Sequence, residues 1–238
     1  MARFILIEGN PGSGKSRSLI NLDPKTTVIL SPNTKDLPFK GARKMYNKEN
    51  KNFFHVQNLP HLREFIQKIN AGTKIKTIVV EDFGHLLGQR VLEDTNVQGF
   101  GKWNKLAVDA FEAVIGMEKQ LRDDLYVILI AHTTTVMNSD GETETFMLTP
   151  GKLLDNLIKI PSYFTYVLHS VVFEESGKVR YKFLTNRDGT GKEAKSPEEC
   201  LDLLEDNDLK VIIDKIEAYQ NGEEYVAPEV KAEKTEKE

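Results

Sequence analysis

Eight consecutive residues, Gly9-Asn10-Pro11-Gly12-Ser13-Gly14-Lys15-Ser16, have the types and spacing to hold a polyphosphate. The glycines let successive backbone N–H groups turn inward where a side chain would block the anion. A lysine at the seventh position reaches the β- and γ-phosphates, and the serine hydroxyl after it is a ligand for Mg²⁺. Residues Asn10, Pro11, Gly12, Ser13, Gly14, Lys15, Ser16 and Arg17 are therefore the expected nucleotide contacts. A glycine-rich turn matching by accident would not be expected to sit between an apolar strand-like run, Phe4-Ile5-Leu6-Ile7, and a helix-like one starting near Lys15.

Two further clusters carry chemistry that such a loop requires. Thr77-Ile78-Val79-Val80 ends in Glu81-Asp82, and an acid at that point can hold a metal through water while its neighbour orients the attacking water. The apolar run Tyr126 to Ala131 stops at His132-Thr133, where a polar side chain can report on the γ-phosphate; ligands of open α/β sheets lie at the carboxyl ends of strands. Further on, Thr185 to Pro197 is glycine-rich and carries Arg187, Lys192 and Lys195, cations suited to meeting a phosphate on a neighbouring subunit. The plain alternatives are surface termination for the acids, a structural histidine, and a solvated loop.

Positioning these groups takes alternating strands and helices. Thr27 to Leu30 reads as a second strand after Asp23-Pro24 closes the first helix, and Phe53 to Val56 as a short third. Leu62, Phe65, Ile66 and Ile69 have helical spacing. Gly88 to Lys105 reads as a long polar excursion, followed by a helix carrying Leu106 to Met117. Thr134 to Pro150 reads as an acidic loop without Lys or Arg, unsuited to phosphates. Tyr163 to Phe173 and Val179 to Leu184 read as a hairpin turning at Glu175 to Lys178, and Leu201 to Tyr219 as closing helices. Between the second and third strands, Lys35, Lys40, Arg43, Lys44, Lys48 and Lys51 face only Asp36 and Glu49, with Phe39 and Tyr46 interleaved. That composition suits a single-stranded nucleic-acid backbone with stacked bases, or equally a solvated loop or subunit contact.

At 238 residues, with 39 % hydrophobic and 29 % charged residues, the chain suits one α/β domain over residues 1–220 and a charged tail, expected to be disordered, over 221–238. No apolar run approaches the roughly 20 residues of a membrane span. With the first strand starting at the N-terminus, no signal peptide is expected, and the single cysteine, Cys200, forms no internal disulfide, so a cytoplasmic location is expected. Six of the acids and three of the lysines lie in the tail, so most of the net charge of -4 belongs there and the body is nearly neutral.

Taken together, the loop Gly9 to Ser16, Leu37-Pro38-Phe39-Lys40-Gly41, Val79 to Phe83, Ala131-His132-Thr133, Gly151-Lys152-Leu153-Leu154-Asp155 and Leu184 to Pro197 resemble the phage-encoded AAA-type P-loop ATPases, small RecA-like single-core proteins, some linked to single-strand annealing. The resemblance runs from Arg3 to about Tyr219. It implies a RecA-like P-loop core: a mainly parallel central sheet with helices on both faces and a late β-hairpin extension. It also implies a homo-oligomer with ATP and Mg²⁺ at subunit interfaces and a late-loop cation acting in trans. Work on single-stranded DNA in recombination, annealing or replication follows from it, with a single-strand-binding or annealing protein as partner. Relatives place Asp first among the strand-end acids. Here Glu81 precedes Asp82, which leaves open which acid holds Mg²⁺ beside Ser16. Two other classes share the loop: an ATP-dependent switch or loader with little hydrolysis, and a nucleotide kinase, which needs a lid dense in arginine that the eight scattered Arg do not form.

Overall fold

The computed structural model describes residues 1–94, 96, 99 and 101–227. Its centre is a nine-stranded sheet in the order β3-β2-β4-β5-β1-β7-β8-β9, with β6 paired to β5 off that path. The strands are β1 (Arg3–Gly9), β2 (Thr27–Ser31), β3 (Phe53–His55), β4 (Thr77–Val80), β5 (Tyr126–Met137), β6 (Thr143–Met147), β7 (Tyr166–Glu175), β8 (Lys178–Leu184) and β9 (Leu204–Asp206). The helices are α1 (Ala42–Met45), α2 (Leu59–Asn70), α3 (Phe83–Glu93), α4 (Gly101–Ala113), α5 (Lys152–Leu157) and α6 (Leu209–Asn221). Among the described residues, no helix is long and apolar enough to cross a membrane.

The five inner pairings are parallel, and the strands that make them are continuous apolar runs because helices cover both faces. Strand alternation divides each run between two cores. Phe4 and Leu6 of β1, Ile78 and Val80 of β4, and Val127 and Leu129 of β5 pack with α2, α3, α4 and α5. Ile5 and Ile7, Val79, and Ile128 and Ile130 pack on the opposite face with α6 and the segment after the phosphate loop. The expected α/β class, a mainly parallel sheet with helices on both faces, is the observed one.

The helix expected after the loop is present, as a short 3-10 helix over Ser16–Asn21. Several local expectations are corrected. Gly88–Lys105 is largely helical: α3 runs to Glu93 and α4 begins at Gly101, with residues 95, 97, 98 and 100 outside those described. The acidic segment after β5 is not a loop. β5 continues to Met137 and folds back through β6. The late hairpin turns at Ser176-Gly177, both at positive φ, as a two-residue turn matching strand twist requires. It is not the sheet edge, because β7 lies against β1 and β9, from a segment expected to be helical, closes that side. The expected disordered tail falls, from residue 228 on, outside the described residues.

Because Ile7 is fully buried at the centre of β1, Ile7→Ala is expected to lower unfolding stability by about 2–5 kcal/mol through lost transfer energy and a residual cavity, measurable by denaturant titration.

Candidate active site

Parallel strands bring their carboxyl ends to one side of the sheet, and four of them deliver the site. β5 lies between β1 and β4, with Gly9 opposite His132 and Val80 opposite Leu129. The side chain of His132, where β5 passes the end of β1, therefore stands between the phosphate loop and the paired acids. The resulting cleft, about 300 Å³, is lined by Pro11, Gly12, Gly14, Lys15, Ser16 and Arg17 of the loop. Ser31, Asn33, Lys35 and Phe53 wall the far side, with Glu81, Asp82 and His132 between.

The loop holds its shape through backbone freedom and braces from β7. Gly14 has φ +97°, and a Cβ there would lie 2.6 Å from the ring of Tyr181. Gly9 has φ +153°, and a Cβ would meet the Ser13 hydroxyl and the Ser170 carbonyl at 2.7 and 2.8 Å. Ser170 Oγ donates to the Ser13 carbonyl at 2.6 Å, so Ser13 turns toward β7 rather than into the cleft. Thr133 Oγ1 donates to Asn10 Oδ1 at 3.0 Å, tying the loop to β5. Arg17 places its guanidinium 5.2 Å from the centre of the Tyr181 ring.

Lys15 is buried, and its Nζ donates to the carbonyls of Gly9 and Asn10 at 2.8 and 2.9 Å and to His132 Nδ1 at 3.3 Å. With Nδ1 accepting, the ring proton of His132 belongs on Nε2, which lies 3.2 Å from Asp82 Oδ1. Burial lowers the Lys15 pKa to about 8, against the pull of Asp82, Glu81 and Glu8. The ammonium is still the main form at neutral pH.

The two acids diverge. Ser16 Oγ donates to Glu81 Oε2 at 3.0 Å, while Glu81 Oε1 is buried without a partner. Burial raises the Glu81 carboxyl to about 7, opposed by the Ser16 hydrogen bond and reinforced by Asp82. Asp82 turns the other way, in the left-handed region at φ +47°, a sparsely populated conformation for a non-glycine residue. It meets His132, accepts from Asn33 Nδ2 at 2.5 Å and lies 3.6 Å from Lys35. The His132 hydrogen bond, opposed by burial and helped by Asn33, holds it down at about 2. The Ser16 hydroxyl and the Glu81 carboxylate, one oxygen of which is unpartnered, make a donor set that fits a hydrated Mg²⁺.

Of the sequence-predicted residues, Lys15, Ser16, Arg17, Glu81, Asp82 and His132 share the cleft. Arg187, Lys192 and Lys195 do not. Arg187 and Lys192 line a separate cleft of about 550 Å³ against Gly141–Phe146. Lys195 donates to the Ser162 carbonyl at 3.3 Å and is pinned by its backbone to Val167. In the basic segment, Asn33 and Lys35 turn into the cleft, Arg43 pairs with Asp36, and Tyr46 is buried edge-on to Phe39. The Tyr46 ring is core and cannot stack on bases, Phe39 is half-buried against it, and Lys40, Lys44, Lys48 and Lys51 remain exposed. Sequence reasoning missed Asn33 and Lys35 as site residues and gave no role to Glu8, whose charge in an otherwise apolar strand was the available signal.

No protein-family model matches the chain, and no curated protein matches it. Among solved structures the chain is similar to the crystal structure of the flagellar accessory protein FlaH from Methanocaldococcus jannaschii, at 12 % identity over 82 % of each chain with a TM-score of 0.43. A likeness of that size leaves activity, ligand and partner to be argued from the site.

Gly14→Ala combines a left-handed backbone with a clash against Tyr181. It is expected to cost about 1–3 kcal/mol of stability, read as a shifted denaturation midpoint.

Proposed function

We propose that this chain is a Mg²⁺-dependent ATPase of RecA-like kind that acts with single-stranded DNA in phage recombination, annealing or replication. The observation that carries the ATPase reading is the convergence of Lys15, Ser16, Glu81, Asp82 and His132 in one cleft. Ser16 and Glu81 would hold the metal, a reading supported by the first acid's tie to the loop serine and by the second facing away from it. When bound, Mg²⁺ neutralises charge on the β- and γ-phosphate oxygens.

The chain's own groups do the rest. Lys15 exchanges the Gly9 and Asn10 carbonyls for phosphate oxygens. Asp82, held near 2, is a poor proton acceptor at neutral pH and serves to orient the attacking water through a hydrogen bond. His132 donates to Asp82 from one nitrogen and faces Lys15 with the other, so it senses whether the lysine has moved to a γ-phosphate. Arg17 is the one arginine lining the cleft among the described residues. Arg43, Arg63, Arg90, Arg122 and Arg180 are paired with acids elsewhere, an arrangement unlike a kinase lid. Arg187, exposed on the late loop, is the best placed of the three cations to complete a neighbouring subunit's site in a homo-oligomer. The exposed lysines of 40–51 supply the DNA contact through phosphates alone.

Lys15→Ala is expected to cut ATP turnover by at least about 100-fold while keeping the melting temperature; a folded variant with undiminished turnover refutes the assignment. ATP turnover measured with and without single-stranded DNA, at several protein concentrations, is expected to rise with both. Charge reversal at Lys40, Arg43 and Lys44 is expected to weaken single-strand binding and flatten its salt dependence. Unchanged affinity would remove the DNA role from this segment.

A further inference from the structure

On the far side of the phosphate loop lies a polar cluster that the proposed hydrolysis does not use. Glu8, the last side chain of β1 before Gly9, is 0 % exposed. Its Oε1 lies 2.9 Å from Nδ1 of His169, itself buried on β7, and its Oε2 has no partner. The late loop closes over this pair. Lys192 lines one cleft with His169, and the Glu193 Oε2 is also buried without a partner. The loop is pinned at two points: Gly191 and Glu193 bond Thr145 at 2.8 and 2.9 Å, and Lys195 exchanges two bonds with Val167 at 2.8 and 3.0 Å. Within the first anchor, Lys192 lines a cleft of about 400 Å³ together with Asn10–Ser13.

We propose that Glu8 and His169 are a positioning pair that shares a single proton and seats the Arg187–Lys195 loop against the phosphate-loop strand, fixing where that loop's cations stand. Its purpose rests on the ATPase reading; its geometry does not. An ionised Glu8, fully buried with one carboxylate oxygen unpartnered, would be strongly unfavourable, and a proton on the Glu8–His169 pair removes that cost. His169 lies at hydrogen-bond distance from Glu8; the charges of Glu193 and Lys15 also act on Glu8, those of Lys192, Lys15 and Asp188 act on His169, and Lys159 lies 3.9 Å from Glu193. Burial, with Glu193 adding, raises Glu8 to about 9. Burial, with Lys192 adding, lowers His169 to about 4.

In the unfolded chain the two groups lose their protons near 4.5 and 6.5, whereas the folded pair keeps one proton up to about 9. Between about 6.5 and 9 the folded state thus binds one proton more, and this pair's contribution to stability falls as pH rises. Glu8→Gln keeps the shape and hydrogen bonding of a protonated carboxyl but cannot ionise.

The test compares nucleotide-free wild type with Glu8→Gln and Glu8→Ala. Relative to Glu8→Gln, the wild-type melting temperature is expected to fall across that pH window. Trypsin cleavage at Arg187, Lys192 and Lys195 is expected to be about tenfold faster in Glu8→Ala and restored by Glu8→Gln, as loss of a buried partner predicts. If Glu8→Ala does not fold, His169→Gln carries the cleavage arm. Parallel melting profiles for wild type and Glu8→Gln overturn the shared proton, and an unchanged cleavage rate overturns the seating of the loop. Neither readout needs nucleotide, so a wild type that passes both but does not hydrolyse ATP removes the ATPase reading and leaves the pair in place.

Discussion

The site depends on one topological constraint: β5 is interposed between the strand that carries the phosphate loop and the strand that carries the acids. Adjacent strands lie about 4.8 Å apart, so the loop and the acids are two strand spacings from each other. Only side chains that lean across β5 can join them. Ser16 reaches over to Glu81, and His132, at the top of β5 itself, spans from Lys15 to Asp82. The separation leaves a cleft between the loop and the acids, and the two bridges hold its walls in register.

Charge is arranged across that cleft by burial as much as by pairing. Glu81 and Asp82 are neighbours in sequence, yet burial pushes the first up while His132 and Asn33 pull the second down. Two adjacent carboxyls thereby acquire different capacities, the usual condition for dividing roles at a catalytic centre. The same contrast separates two histidines. His132 is partly exposed and bridges a cation to an anion. His169 is enclosed with a carboxyl that the loss of water drives toward its neutral form. One works toward the cleft, the other toward the framework behind it.

Much of this was legible in the chain. The phosphate loop, the acid pair and His132 each stand at the end of an apolar run, and a parallel sheet has one place to put such ends. The misreadings share a cause. Thr143–Met147 carries too little apolar surface to announce a strand and exists because β5 runs past the sheet and offers it an edge. Phe39 and Tyr46 look like a stacking surface when read beside lysines, but three dimensions bury Tyr46 against Leu22, pack Phe39 edge-on to it and leave the lysines outside. Residues around Gly88 are polar on one face and bury Leu86, Leu87 and Arg90 on the other, a helix pattern masked by the glycine and the charges.

By itself, the sequence determined which groups could meet a triphosphate and that they would gather at one end of a doubly covered sheet, because hydrophobic periodicity and backbone freedom are local properties. Which acid partners Ser16, where Lys35 and the late-loop cations stand, and that Glu8 and His169 share a buried space were decided only by the tertiary structure. Those outcomes depend on strand order and on the loss of water around side chains up to 161 positions apart in the chain, and neither is written in any local stretch.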